Sequence, residues 1–389
     1  MITRLVFWIA ITLLGWTYAG FPIVCLARAR LHPRPVRRAP IRPRVSIVLA
    51  ARNEEGAIHA RIENLLALDY PQEDLEIVVA SDGSVDSTVA IARQFSPRVV
   101  VLDLPRTGKA RALTEAVHES SGEIVVFTDA NTSFRSDAVT AIVEPFGDPE
   151  VGGVAGDQRY LPAAPGPHGP DGVGERHYWD FDRRLKSAES AAGSVISATG
   201  ALYAVRRALF EPIPEGVTDD FITSTLVVAK GSRLVFEPRA VADEPVAESE
   251  RVEFGRKVRI MTRGLRGVVM RRELLDPRRT GFYAVQLLTH KLLRRLMVFP
   301  LIAASLSSVL LARRSRFHAL AAVGAATIAS CGVVGLAGPP SLRPRRVFAL
   351  PGFFLMVNGA SLVAVSNALR GRRIVTWEPQ RGQDSQEAE

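Results

Sequence analysis

From Leu5 to Leu26 the chain runs without one charged residue, and no other feature narrows the possible folds as far. At 1.5 Å per residue, a helix over this run crosses a hydrocarbon core of roughly 30 Å. The run is longer than the core of a cleaved signal peptide, and Arg4 is the only basic residue ahead of it. It reads as a retained anchor. Three further apolar runs stand near the other end: Leu296–Leu311, Phe317–Ala337 and Val347–Leu369. The first is short and contains Pro300, which predicts a tilted, kinked or re-entrant segment.

Charge is distributed around these runs. The net charge is +9, from Lys+Arg 49 against Asp+Glu 40. Arg28, Arg30, Arg34, Arg37, Arg38, Arg42 and Arg44 come after the first run, with prolines at 33, 35, 40 and 43, making a stiff basic collar. Arg294 and Arg295 precede the second run, and Arg343, Arg345 and Arg346 separate the last two. This is membrane-flanking charge, and it places the collar and the domain beyond it on the cytoplasmic side of a cell membrane. A nucleic-acid binder would carry its cations interleaved with aromatics on a folded module. Three crossings after a cytoplasmic domain put the C-terminus outside, yet Arg370, Arg372 and Arg373 come directly after the last run. Either one run does not cross, or a further segment near Tyr283–Leu293 does. The apolar content, 47%, excludes a disordered chain. Only two cysteines occur, Cys25 and Cys331, both inside apolar runs, which excludes a disulfide scaffold and a cysteine zinc site.

Between the collar and residue 250 the pattern is that of an α/β domain. Val45–Ala50, Leu75–Ala80, Arg98–Asp103 and Glu123–Thr128 are short apolar runs, each ended by polar turn residues. Helical spacing lies between them, as in Ile58, Ile62, Leu65 and Leu66. Strands alternating with helices predict a mostly parallel sheet covered on both faces. Leu161–Gly174, with four prolines and four glycines, predicts a loop; Glu175–Glu189 a helix; Ser194–Val205, Arg233–Glu237 and Ala240–Ala242 strands. Val252–Leu275 mixes Phe254, Val258, Met261 and Leu265 with Arg256, Lys257, Arg259, Arg263 and Arg266, the pattern of an interfacial amphipathic helix. The organisation predicted is an anchor over residues 1–27, a collar over 28–44 and a catalytic domain over 45–250. Interfacial helices over 251–293, membrane helices over 294–370 and a polar tail over 371–389 complete it.

Open parallel sheets bind ligands at the carboxyl ends of their strands, and polar signatures collect there. Ala50-Ala51-Arg52-Asn53-Glu54-Glu55 ends the first strand, Ser81-Asp82-Gly83-Ser84-Val85-Asp86 the second, and Thr128-Asp129-Ala130-Asn131 the fourth. Gly108-Lys109-Ala110-Arg111 puts a cation at a helix start, where phosphate binds readily. Asp129, with a second oxygen ligand at Asn131, suits a hard divalent cation. Singly, each has a plainer reading: Asp82 and Asp129 as helix caps, Lys109 as a solvated residue, Asp219-Asp220 as acids favoured at a helix N-terminus.

Together, in this order, these segments resemble the family 2 glycosyltransferases of GT-A fold, above all the membrane-integrated cellulose, hyaluronan and poly-N-acetylglucosamine synthases. Thr199-Gly200-Ala201-Leu202-Tyr203 and Thr218-Asp219-Asp220 extend the likeness, which covers Val45 to about Gly267. The resemblance implies a Rossmann-like, mostly parallel α/β sheet with one N-terminal and about three C-terminal membrane helices. It implies an inverting transferase that moves a sugar from a nucleotide-sugar, a UDP-sugar above all, to a lipid-linked or growing glycan acceptor. Ala50, Asn53, Glu54 and Asp82 would then line the nucleotide pocket. Lys109, Asp129, Arg256 and Arg259 would serve the donor diphosphate, and Thr199 and Gly200 the acceptor. Asp220 would be the general base, and Asp129 with Asn131 would hold Mg2+ or Mn2+. Two departures stand out. Asn131 replaces the family's second metal carboxylate, and Ile260 replaces the tryptophan directly after the Arg-x-x-Arg pair of processive synthases. Processive polysaccharide synthesis and a non-catalytic nucleotide-sugar-binding scaffold are the alternatives.

Overall fold

The computed structural model describes residues 1–161, 173–245, 250–339, 341–343, 345–372 and 374. Its centre is an eight-stranded sheet formed by β1 (Val45–Ala51), β2 (Leu75–Asp82), β3 (Val100–Leu104), β4 (Ile124–Asp129), β5 (Ser133–Phe134), β6 (Val151–Leu161), β7 (Tyr203–Arg206) and β8 (Arg233–Pro245). The strand order is β3-β2-β1-β4-β7-β6-β8-β5. The first four are parallel, β7 is antiparallel to both neighbours, and β6 and β8 are parallel again. The chain winds outward from β1 to β3 and then returns to the other side of β1 with β4. That reversal opens a crevice at the carboxyl ends of β1 and β4.

All seven residues of β1 are buried, as a strand covered on both faces requires. Successive side chains alternate. Ile47 and Leu49 pack with Ile58, Ile62 and Leu65 on one face, while Val48 and Ala50 pack with Leu113, Phe127 and Tyr203 on the other. Truncating Leu49 to alanine is expected to cost about 2–5 kcal/mol, because neither layer has room to relax.

The predicted parallel half of the sheet is present with boundaries shifted by a residue or two. The outer half differs from the sequence reading. β6 carries no strand signal in the sequence, since its Gly152, Gly153 and Gly156 lower strand propensity. These glycines admit neighbours: a Cβ on Gly152 would press on Leu209, and one on Gly156 would lie 2.6 Å from Leu202 Cγ. Ser194–Val205 is a strand only from Tyr203. Upstream no continuous ladder forms: Val195 N–H donates to Leu234 O, but Ile196 N–H donates to Glu189 and Ala198 N–H to Ser224 Oγ. Arg233–Glu237 and Ala240–Ala242 form one strand, because β8 continues alongside β6 through a register shift at Gly156/Asp157. The loop expected over Leu161–Gly174 and the C-terminal tail lie almost wholly outside the described residues.

Among the described residues, three helices are long and apolar enough to cross a membrane: Ile2–Leu31, Arg316–Ala337 and Arg346–Leu369. Phe282–Leu296 and Val298–Arg314 make a fourth only as a pair bent by 53°. The extra segment near Tyr283–Leu293 is thus the first limb of the Pro300 run. The basic amphipathic helix, Glu250–Met270, rests on the last apolar helix, where Lys257 lies 5.1 Å from the Phe353 ring and Ser361 Oγ donates to Met261 Sδ.

Candidate active site

The crevice is shaped by loops that bind each other. Asn53 takes a left-handed conformation at φ +50°. Its backbone N–H donates to Ser84 Oγ at 3.2 Å and its side-chain oxygen accepts from Val85 N–H at 3.0 Å. Glu54 N–H donates to Thr88 Oγ1 and Glu55 N–H to Asp86, so the turn after β1 is fastened to the turn after β2. Ala50, at the end of β1, is buried and leaves no side chain in the way. Asp82, also buried, accepts from Thr107 N–H and Gly108 N–H, both at 2.7 Å on Oδ1. A single carboxylate oxygen therefore fixes the turn that starts the Lys109–Glu119 helix.

Lys109 is the hub. Its ammonium lies 2.6 Å from Asp129 Oδ1 and 3.3 Å from Asp219 Oδ2, with the side chain 15% exposed. Burial works against its charge, but Asp129 and Asp219 outweigh burial and hold its pKa above the usual lysine value. The ammonium joins the carboxyl end of β4 to the start of the Asp219–Ala229 helix. Asp220 is the next residue on that helix, accepting Phe221 N–H on Oδ1 at 2.8 Å. Burial, and then the negative charge of Asp219, push the Asp220 carboxyl up to about 6. A carboxylate raised in this way is a competent proton acceptor near neutral pH.

Thr199 and Gly200 sit in the turn before β7, over Asp129. A Cβ on Gly200 would lie 3.2 Å from Asp129 Oδ2, so the glycine keeps that oxygen open. Thr199 Oγ1 is buried without a hydrogen-bond partner among the described residues. Asn131 is half-buried in the turn after β4. No group of three His, Cys, Asp or Glu side chains among the described residues is arranged to hold a metal. Asp129 Oδ2, left open beside Gly200, is a hard oxygen donor of the kind a divalent cation takes.

The two arginines of the amphipathic helix differ. Arg256 is engaged by Glu253, with Nε to Oε2 at 2.6 Å, and stands 4.0 Å from Glu244. Arg259 makes no ion pair or hydrogen bond with the described residues; burial and then Arg256 lower its pKa, while Asp129 opposes the shift. Ile260, at the family's tryptophan position, is 43% exposed.

The structure adds one residue that the sequence reading misses. Arg61 is buried behind Asp129, donating to Thr128 Oγ1 at 2.7 Å and to Asn64 Oδ1 at 2.6 Å, with its guanidinium 4.2 Å from the Phe134 ring centroid. Burial lowers its pKa to about 9, and Asp129 partly offsets this. The signal that could reveal it is an arginine within the apolar stripe of Ile58, Ile62 and Leu65, where burial of an ion demands a reason.

Comparison with known proteins gives the same picture. The model of glycosyl transferase family 2 matches residues 46–211. A poly-β-1,6-N-acetyl-D-glucosamine synthase of Staphylococcus epidermidis is 27% identical over 206 residues, covering 51% of this chain and 48% of the relative. An N-acetylglucosaminyltransferase of Rhizobium meliloti (strain 1021) is 27% identical over 233 residues, covering 55% of this chain and 54% of the relative. The chain spans about half the length of the curated relatives it matches. Among solved structures, the mannosyltransferase PcManGT from Pyrobaculum calidifontis, in complex with GDP-Man and Mn2+, superposes with a TM-score of 0.70 at 24% identity. That superposition covers 95% of this chain and 100% of that one, and it establishes the GT-A fold. Residues 46–211, which include the inner strands of the sheet, thus match the glycosyl transferase family 2 model.

Proposed function

We propose that the protein is a multi-pass membrane glycosyltransferase of the inverting type, with its sheet domain in the cytoplasm. It moves a sugar from a nucleotide-sugar, a UDP-sugar above all, to a lipid-linked or growing glycan acceptor. The observation that carries this reading is the Lys109 bridge, which sets a donor-side carboxylate, Asp129, against the Asp219-Asp220 pair. Donor and acceptor chemistry thus share one charged centre.

In this reading the nucleotide lies over Ala50, Asn53, Glu54 and Asp82. Lys109 and Arg259 face the diphosphate and stabilise the charge that grows as it departs. Arg256, balanced by Glu253, orders the helix that presents Arg259. Asp220 accepts the acceptor hydroxyl's proton as the new bond to the anomeric carbon forms and the bond to the diphosphate oxygen breaks. Asp129 and Asn131 would hold Mg2+ or Mn2+, which when bound neutralises diphosphate charge. Asn131 contributes no charge, so Lys109 and the buried Arg61 carry more of the electrostatic load around Asp129. Support comes from the matched family, from the GDP-Man and Mn2+ complex of the superposed mannosyltransferase, and from the membrane-length helices.

Processive polymer synthesis is the second reading. The synthase relatives favour it, and the lack of an aromatic platform at Ile260 weighs against it. Membranes containing the full chain, supplied in turn with labelled UDP- and GDP-sugars and a divalent cation, should release nucleoside diphosphate. Label should enter a lipid-extractable or glycan fraction. Label in the lipid fraction favours single transfer, and label in a high-mass polymer favours the second reading. Nucleotide binding with no transfer from any donor would leave only a scaffold.

A further inference from the structure

The two acids at the start of the Asp219–Ala229 helix are unequally served. Asp219 is held by Lys109 at 3.3 Å, whereas Asp220 accepts only Phe221 N–H and has no ion pair at contact distance among the described residues. A partly buried carboxylate that must be ionised to accept a proton needs a cation within range. Lys109 is committed to Asp129 and Asp219.

Lys291 supplies that charge from outside the sheet domain. It lies on the Phe282–Leu296 segment, which leads into the apolar Val298–Leu311 helix. The segment and the Asp219–Ala229 helix share one buried cluster, in which Tyr283 and Leu287 pack with Phe221, Ile196 and Val268. The Lys291 ammonium stands 5.6 Å from the centroid of the Phe221 ring, and Phe221 is next in sequence to Asp220. Two carboxylates act on this ammonium, Asp220 and Asp182, alongside the cations Arg295 and Lys186. Asp182 already has Lys186 at 3.0 Å and His290 at 3.6 Å, so Asp220 is the acid that lacks another partner. The remaining groups around Asp220 are Asp219 on its own helix, Lys109, and the Tyr203 phenol of β7, which burial keeps neutral; Arg263 of the amphipathic helix acts on Asp219. Burial and Asp219 push the Asp220 carboxyl up, and Lys291 opposes them ahead of Lys109.

The turn that carries Lys291 is fixed. His290, beside it, is set between Glu189 at 3.1 Å and Arg294 at 2.9 Å. Tyr283 OH donates to Ile196 O at 2.7 Å, and Gln286 Nε2 to Ser194 O at 3.2 Å. Trp16 Nε1 of the N-terminal helix donates to Thr289 Oγ1 at 3.2 Å. The lysine is thereby tied both to the sheet domain and to the N-terminal apolar helix, and its distance from Asp220 is set by that docking.

We propose that Lys291 is a positioning residue for Asp220: its ammonium, carried by the segment that leads into the apolar helices, keeps the base ionised beside Asp219. This rests on the reading of Asp220 as the acceptor-side base. Without the ammonium, burial and the Asp219 charge would leave more of the carboxyl protonated at neutral pH, where it accepts nothing. The readiness of the base then depends on the membrane-side segment being docked on the sheet.

The test uses the detergent-solubilised full chain and reads a pH profile that loss of packing alone would not move. In Lys291→Met the acid limb of kcat/KM should shift up by about one unit, so that kcat/KM falls about fivefold at pH 6 while variant and wild type converge toward pH 8.5. Lys291→Arg keeps the charge and should recover at least about half of that shift. A second readout needs no turnover. At pH 7.5, Lys291→Met should lower the unfolding temperature about 2 °C more in the wild-type background than in the Asp220→Asn background, and this excess should vanish at pH 4.5, where Asp220 is protonated. An acid limb that stays in place, or that moves equally in Lys291→Arg, overturns the proposal and leaves Lys291 as packing on Phe221. Equal thermal losses in the two backgrounds at pH 7.5 overturn it as well. The two claims fail separately: transfer with neither a moved limb nor thermal coupling refutes the pairing alone, and thermal coupling without transfer from any donor refutes the transferase reading alone.

Discussion

Asp220→Asn should abolish transfer and at the same time make the protein more stable. In the folded chain the Asp220 carboxyl is raised from 3.8 to about 6 by burial and by Asp219. Keeping it ionised at neutral pH therefore opposes folding by about 2–3 kcal/mol, at roughly 1.4 kcal/mol per unit. The sign comes from linkage. A carboxyl raised on folding favours the folded state while protonated, so its contribution is full below the unfolded value and lost as pH rises through about 6. Asparagine is neutral at every pH and its side-chain oxygen still accepts Phe221 N–H. The stability difference between variant and wild type should be near zero below about pH 4, grow through the next two units, and level off above about pH 6. Thermal unfolding of the detergent-solubilised full chain at stepped pH, with transfer measured on the same samples, reads both effects. A variant that is less stable than wild type at neutral pH, or a difference that does not change with pH, refutes the argument that this carboxylate is held against its solvation preference.

The same geometry sets four more outcomes. Transfer by the wild type, plotted as kcat/KM, should fall about tenfold per unit below about pH 6, and Asp219→Asn should move that limb to lower pH by removing the neighbouring negative charge. Gly200→Ala, which sets a methyl 3.2 Å from Asp129 Oδ2, should weaken activation by Mn2+ with little change in unfolding temperature, as a metal titration of activity would show. Arg61→Met should alter both metal and donor affinity although it touches neither, because it removes a buried positive charge behind Asp129; unchanged nucleotide binding by calorimetry would contradict this. Asp82→Ala, by freeing Thr107 N–H and Gly108 N–H, should release the turn that starts the Lys109 helix, and hydrogen exchange should accelerate across residues 105–112.

The inner half of the sheet is legible in the sequence because β1, β2 and β4 are buried on both faces and end in polar turns. Near-continuous apolar runs with such endings rarely fold as anything else. The outer half is hidden because the criteria that find strands fail there. β6 is rich in glycine, which serves close contact with Leu202 and Leu209 rather than strand propensity. Ser194–Leu202 has strand-like composition, yet its amides at Ile196 and Ala198 are taken by the side chains of Glu189 and Ser224, which lie elsewhere in the chain. The site is legible as an ordered set of polar signatures, but not the division of labour within it. Nothing local in the sequence says that Asn53 spends its amide oxygen on Val85 N–H, or that one oxygen of Asp82 holds the Lys109 turn. The Lys109–Asp129–Asp219 triangle joins residues up to 110 positions apart. Lys291 lies near a predicted membrane flank, where a cation is unremarked until the fold sets it beside Phe221.

The central claim is that Asp220 takes the acceptor proton in a nucleotide-sugar transfer. The most direct test compares wild type and Asp220→Asn in membranes, measuring labelled transfer from the preferred nucleotide-sugar alongside equilibrium binding of that donor. The account predicts that transfer falls by at least about a hundredfold while donor binding stays within about twofold. Transfer that persists at the wild-type rate would contradict it, as would donor binding that falls in step with transfer.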